Sequence, residues 1–297
     1  MRILVTGASG WIGSASVTEL IAAGHHVLGL ARNDEAAARI RGLGAEAIHG
    51  SLDDLASLRA AAAQADGVVH LAYKHDFSQM ADAARADRAA IDAFADVLQG
   101  TGGPLLIASG TLGLAPGRIG LEADMADSAV HPRVGNAAYT LGLAERGVRS
   151  LVVRFAPTVH GAGGDHGFVA TLAKTARTKG VSAYLGAGQN RWSAVHRLDA
   201  AKLVQLAVDK AKPGTVLHAV AEEAIAARDI AAALGQSLGV PVESIPSDRA
   251  AEHFGWIGMF FGADAPASST GTRELLNWAP SHTTLLEDIV AGHYPGT

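Results

Sequence analysis

The chain has 297 residues, enough to bury a full core in one large domain or two smaller ones. Apolar residues make up 48% and charged ones 18%, with scattered basic residues and a net charge of −5, which excludes a disordered chain and a nucleic-acid-binding surface. There is no cysteine, so disulfides, thiolate metal sites and a cysteine nucleophile are excluded. No apolar stretch reaches a membrane span, and the expected setting is the cytoplasm.

In chain order, short apolar runs at Arg2–Val5, His26–Leu30, Glu46–Ile48, Gly67–Leu71, Leu105–Ala108 and Leu151–Val153 are expected as strands. Between them, helical periodicity spans Trp11–Ala23, Asp34–Leu43, Asp53–Gln64, Ser78–Leu98 and Asn136–Arg146. Strands alternating with helices imply right-handed crossovers, and hence an α/β Rossmann-type doubly wound parallel sheet covered on both faces. After Pro157 the alternation gives way to glycine-rich loops such as Gly161-Ala162-Gly163-Gly164, while Val216–Ala219 looks like a strand that rejoins the sheet. The expected division is a dinucleotide-binding domain over 1–156 joined by 194–222, and a small substrate lobe over 157–193 and 223–297.

The first strand runs straight into Gly7-Ala8-Ser9-Gly10-Trp11-Ile12-Gly13 and then a helix. Such a turn points unpaired N–H groups and the positive end of the helix dipole at one spot, which suits a diphosphate. Glycine permits both the positive φ and the close approach. Gly7, Ser9, Gly10, Trp11, Ile12 and Gly13 are therefore candidate cofactor contacts. Arg32, nineteen positions beyond Gly13, stands where an acidic residue would hold the ribose 2′-hydroxyl of NAD and where an arginine suits the 2′-phosphate of NADP. NADP is the expected cofactor, with NAD the alternative; Asp34 and Glu35 would oppose a phosphate if turned inward. After the third strand, Ser51 and Leu52 are candidates for the adenine edge and face, with Asp53 equally suited to cap a helix. After the fourth, Leu71, Ala72 and Tyr73 are expected along the ribose and nicotinamide halves, and His70 is expected in the core.

Together, Thr6–Gly13, Val69-His70-Leu71-Ala72, Ile107-Ala108-Ser109-Gly110-Thr111, Val152–Gly161 and Ser193–Ala201 with its Val-His-x-x-Asp pattern resemble the extended short-chain dehydrogenase/reductase superfamily, of the NAD-dependent epimerase/dehydratase type. The resemblance spans almost the whole chain. It implies that Thr111, with Ser109 the competing choice, holds the position of the superfamily's catalytic serine or threonine. The superfamily's Tyr-x-x-x-Lys pair is missing: Tyr139 is followed four residues later by Leu143 and sits too close to the sixth strand. His131-Pro132-Arg133 stands near the expected place, similar to atypical subgroups in which basic residues replace the pair. His131 can act as acid or base near neutral pH and Arg133 offers a permanent charge, while Pro also suits a helix's first turn.

His160, Arg191 and Trp192 are candidate substrate contacts, and the Trp256–Phe261 run is either core or lining for an apolar or aromatic substrate. Histidines lack His-Glu-x-x-His spacing, so no metal is expected. The leading expectation is an oxidoreductase passing hydride between NADP and a small carbonyl, alcohol or imine. Its rivals are a non-catalytic dinucleotide sensor and a nucleotide-sugar epimerase or dehydratase. The partner is a small molecule, with neither nucleic acid nor membrane involved, and a homodimer is the candidate assembly.

Overall fold

The computed structural model describes residues 1–74, 79–126 and 132–296. Its first half alternates strand and helix: β1 (Arg2–Thr6), α1 (Trp11–Ala22), β2 (His26–Ala31), α2 (Asp34–Gly42), β3 (Glu46–His49), α3 (Leu55–Ala62), β4 (Gly67–His70), α4 (Met80–Leu98), β5 (Pro104–Gly110), α5 (Pro132–Gly142) and β6 (Arg149–Phe155). The second half adds β7 (Thr158–His160), α6 (Phe168–Lys179), β8 (Ser182–Leu185), β9 (Arg191–His196), α7 (Arg197–Lys210), β10 (Thr215–Ala219), β11 (Glu222–Ala226), α8 (Ala227–Leu238) and β12 (Val242–Ile245), then short helices up to Leu285–Val290.

Seven strands form one parallel sheet in the order β3-β2-β1-β4-β5-β6-β10, so the expected strand at Val216–Ala219 joins the sheet beside β6. Side chains alternate across it, as strand geometry demands. Ile3, Val5 and Val27 face a layer with Val17, Leu20, Ile40, Leu203 and Val204 from α1, α2 and α7. Leu4 and Leu28 face Leu58, Ile91 and Phe94 from α3 and α4. Burial on both faces is why these strands are continuous apolar runs. A third core, including Val169, Trp192, Ile230, Phe261 and Ile289, fills the smaller lobe, where β11-β9-β7 and β12-β8 form two small sheets.

Three expected helices shift. α3 begins at Leu55 because Asp54, not Asp53, accepts the N–H groups of Ala56 and Ser57 at 3.1 Å each. α4 begins at Met80, with the expected start at Ser78 lying outside the described residues. α5 begins at Pro132, where a missing N–H costs nothing, and tightens into a 3-10 turn over Leu143–Arg146 before Gly147 turns the chain at φ 75°.

Candidate active site

The glycine turn is built so that only glycine fits. Gly7 sits at φ 69°, and a Cβ there would lie 2.9 Å from the Ala72 nitrogen; a Cβ on Gly13 would lie 2.0 Å from the Gly7 oxygen. The Gly10 N–H donates to the Gly7 carbonyl at 2.9 Å, closing the turn, and the N-cap Gly10 offers α1 no side-chain cap. The first N–H groups of a twelve-residue helix are thus left for an anion. Residues and backbone here fit a dinucleotide diphosphate. Trp11 opens α1, and its side chain has partners of its own. Its indole N–H donates to the Val159 carbonyl at 2.7 Å, and the Arg197 guanidinium lies 4.3 Å over its ring, tying the turn to β7 and α7.

Arg32 is exposed at the end of β2, with no side-chain partner among the described residues. Asn33 caps α2 by accepting the Ala36 N–H at 2.9 Å. Asp34 and Glu35 are exposed on the helix, Asp34 lying 3.7 Å from His49. Ser51 Oγ accepts the Asp53 N–H at 3.2 Å, and Leu52 packs against the α3–α4 core layer. Asp53 pairs with Lys74.

Beneath the turn runs a buried polar chain that links four elements. Thr6 Oγ1 accepts the Ala72 N–H at 3.1 Å and shares a hydrogen bond with His70 Nδ1, 2.7 Å away. His70 Nε2 faces Asp87 Oδ1 in a long and poorly aligned contact of 3.3 Å. Asp87 Oδ2 accepts from Asn136 Nδ2 at 2.7 Å, and the same amide donates to the Ala84 carbonyl at 2.8 Å. Burial pushes the Asp87 carboxyl up, but His70, the Arg133 charge and Asn136 outweigh it, holding Asp87 below the usual carboxylate range. His70 is a core histidine, as expected.

Arg133, one turn before Asn136 on α5, donates to the Ala108 carbonyl at 3.1 Å and lies 4.0 Å over the Tyr73 ring. Burial lowers its pKa, opposed by the Asp87 charge, and burial raises the Tyr73 phenol against the pull of Arg133. Thr111, 1% exposed, shares a 3.4 Å hydrogen bond with Ser193 of β9, while Ser109 is buried within β5. Tyr139 is engaged elsewhere: its hydroxyl donates to Asp92 at 2.6 Å and Arg88 covers its ring. His131 lies outside the described residues.

All three expected substrate contacts are buried or paired within the protein. His160 is fully buried and bonded to Asp288 at 2.6 Å. Arg191 is forked onto Asp264 at 3.1 and 2.8 Å, with its own N–H adding a third bond at 2.7 Å. Trp192 is buried in the lobe's core. Sequence reading missed Ser193, Asp87, Asn136 and Asp264, which declare themselves only through partners far along the chain. Near His160, the donor atoms of His196, Asp199 and His282 lie within 4.8 Å of one another. Asp199 already accepts from Ser281 and His282 N–H groups at 3.0 and 3.1 Å, and the two rings stack 4.7 Å apart at 11°. These bonds, with His282 Nδ1 2.8 Å from Asp199, tie the carboxyl-terminal segment to α7.

A model of the NAD dependent epimerase/dehydratase family matches residues 3–117. An uncharacterized protein of Schizosaccharomyces pombe is 46% identical over 295 residues, covering 99% of this chain and 100% of its own length. A 4-hydroxy-2-methyl-3-oxo-4-farnesyl-3,4-dihydroquinoline-1-oxide ketoreductase of Stigmatella aurantiaca is 39% identical over 72 residues, 24% of this chain and 22% of its own. The fold is similar to that of a dTDP-glucose 4,6-dehydratase from Streptomyces venezuelae solved with NAD bound, at 18% identity and a TM-score of 0.77, covering 99% of this chain and 96% of that one.

Proposed function

The chain belongs to the NAD dependent epimerase/dehydratase family, and within it we propose an NADP-dependent oxidoreductase that acts on a small carbonyl, alcohol or imine. The observation that carries this reading is that an uncapped, glycine-only helix start, Tyr73 under Arg133, and Thr111 follow the carboxyl ends of the neighbouring strands β1, β4 and β5. When bound, the nicotinamide supplies or accepts the hydride. The turn from Gly7 to Gly13, Ser9 included, would hold the diphosphate, Arg32 the 2′-phosphate, Ser51 and Leu52 the adenine side, and Leu71 to Tyr73 the ribose side. Thr111 orients the substrate oxygen, Arg133 stabilises negative charge developing on it, and His131 is assigned the proton on the chemistry of its imidazole. The similarity to the ketoreductase from Stigmatella aurantiaca is in keeping with carbonyl chemistry.

Following NADPH absorbance against aldehydes, ketones and imines tests the activity. Thr111→Ala or Arg133→Ala should each reduce kcat about 10²–10³-fold, as removal of one oriented charge-stabilising group does elsewhere; an effect within about twofold would remove these roles. A second reading is favoured by one observation, the commitment of Tyr139 to Asp92 in place of a Tyr–Lys pair. On that reading the chain senses NADP without turnover, and binding of NADPH with no consumption over the whole panel would establish it. Cofactor choice has its own test. Isothermal titration should show NADPH bound more tightly than NADH, and Arg32→Ala should shrink the ratio at least about tenfold, the worth of one charge-assisted phosphate contact; equal affinities in the unaltered protein would remove the Arg32 assignment.

A further inference from the structure

We propose that the smaller lobe selects an apolar, aromatic carbonyl compound and not a nucleotide-linked sugar; this rests on the role given above to Thr111. Thr111 and Leu112 are consecutive, and so are Trp192 and Ser193. The two hydroxyls meet each other, while Leu112 and Trp192 pack into one aromatic cluster. In that cluster Phe168 stacks on Phe260 at 5.4 Å and 29°, meets Trp256 edge-on at 5.9 Å and leans on Trp192 at 5.4 Å. Trp256, which meets Phe168 in this cluster, is 45% exposed, and Met259 beside Phe260 is 70% exposed. Such a wall offers an aromatic ring offset stacking and edge contacts. These rings contribute two indole N–H groups and no charge.

A sugar diphosphate is held most strongly where free cations match its charge. The arginine next to this wall, Arg191, is saturated by three bonds to Asp264. Farther along the lobe, Arg249 forks onto Glu252 at 2.9 and 2.7 Å, and Arg228 lies 3.6 Å from Asp229. The reaction is a balanced reduction: the carbonyl carbon gains hydride as NADPH is oxidised to NADP⁺, and the oxygen takes one proton.

The test uses 2-naphthaldehyde, DL-glyceraldehyde and UDP-glucose with NADPH. The expected result is a KM for 2-naphthaldehyde at least about tenfold below that for glyceraldehyde, with UDP-glucose neither consumed nor bound. In the presence of NADP⁺, 2-naphthaldehyde should also quench tryptophan emission, a readout independent of turnover. Trp256→Leu, at a half-exposed position, should raise the naphthaldehyde KM and weaken the quenching about three- to tenfold, the worth of an aromatic pair; Phe260→Leu serves as the second variant. Comparable use of glyceraldehyde, or tighter binding of UDP-glucose, overturns the proposal while NADPH consumption keeps the functional reading intact. Absence of NADPH binding overturns both.

Discussion

Gly13→Ala is expected to abolish measurable dinucleotide binding and to lower the melting temperature, although alanine is the better helix former. Position 13 lies inside α1, where alanine alone would stabilise by up to about 1 kcal/mol. That gain is overridden because the new Cβ would stand 2.0 Å from the Gly7 oxygen and 2.7 Å from its carbonyl carbon, both backbone atoms that no rotamer change can move. The turn must open, at an overpacking cost of roughly 1–3 kcal/mol. Opening it also displaces the Gly10 N–H from Gly7 and splays the free N–H groups of the helix start. Losing two charge-assisted bonds of about 1.5–3 kcal/mol each weakens NADPH at least about 100-fold. Gly42→Ala is the control: it ends α2 with open space around its Cβ position, and it should raise stability by roughly 0.5–1 kcal/mol without touching affinity. Calorimetric titration and thermal melts on both variants check this. Equal NADPH affinity in Gly13→Ala and the unaltered protein would sink the assignment of the turn.

The same turn shows why so much of the fold was legible. Ile3-Leu4-Val5 is apolar throughout because both faces of β1 are covered, and Gly7 and Gly13 are glycine because neighbouring backbone occupies the space a Cβ would need. Such constraints act on one residue at a time and leave a mark in sequence. Pairings do not. Arg191 and His160 look like free chemical groups until Asp264, 73 residues on, and Asp288, 128 residues on, are brought against them. Helix starts fall between these cases: Asp53 and Asp54 are equally good caps by chemistry, and the turn after Ser51 decides for Asp54. Arg133 was singled out for its charge beside a proline. Its setting, over Tyr73 and within the field of Asp87, depends on β4 and α4 and has no local signature.

Asp87 is therefore where a single change should do the most damage to the frame of the site. Its carboxylate connects α4 to His70 at the end of β4 and to Asn136 one turn past Arg133, so it fixes the strand end that leads into Leu71–Tyr73 and the helix that carries the guanidinium. Asp87→Ala removes the acceptor of one Asn136 amide hydrogen, at roughly 1–3 kcal/mol, together with the carboxylate that faces His70, and Asp87→Asn should cost less because one acceptor survives. The pH dependence separates charge from packing. Because the folded Asp87 titrates below its ordinary value, its contribution is present at neutral pH and is lost as pH falls through the folded pKa, below about 4. His196 acts higher. Burial and neighbouring His160 push it down to about 4, so the unfolded chain binds the extra proton first and stability declines as pH drops from about 6.5 toward 4. Neutral His196 is also the form whose Nδ1 accepts the Leu198 N–H at the start of α7. Urea unfolding at pH 7, 5.5 and 3.5 should then show the unaltered protein weakening in two stages. His196→Asn, which keeps a capping acceptor, should lose the upper stage. Asp87→Asn should keep the upper stage and lose the lower, its deficit against the unaltered protein shrinking by pH 3.5. A deficit that stays constant across this range would mean that Asp87 acts through shape and hydrogen bonding alone.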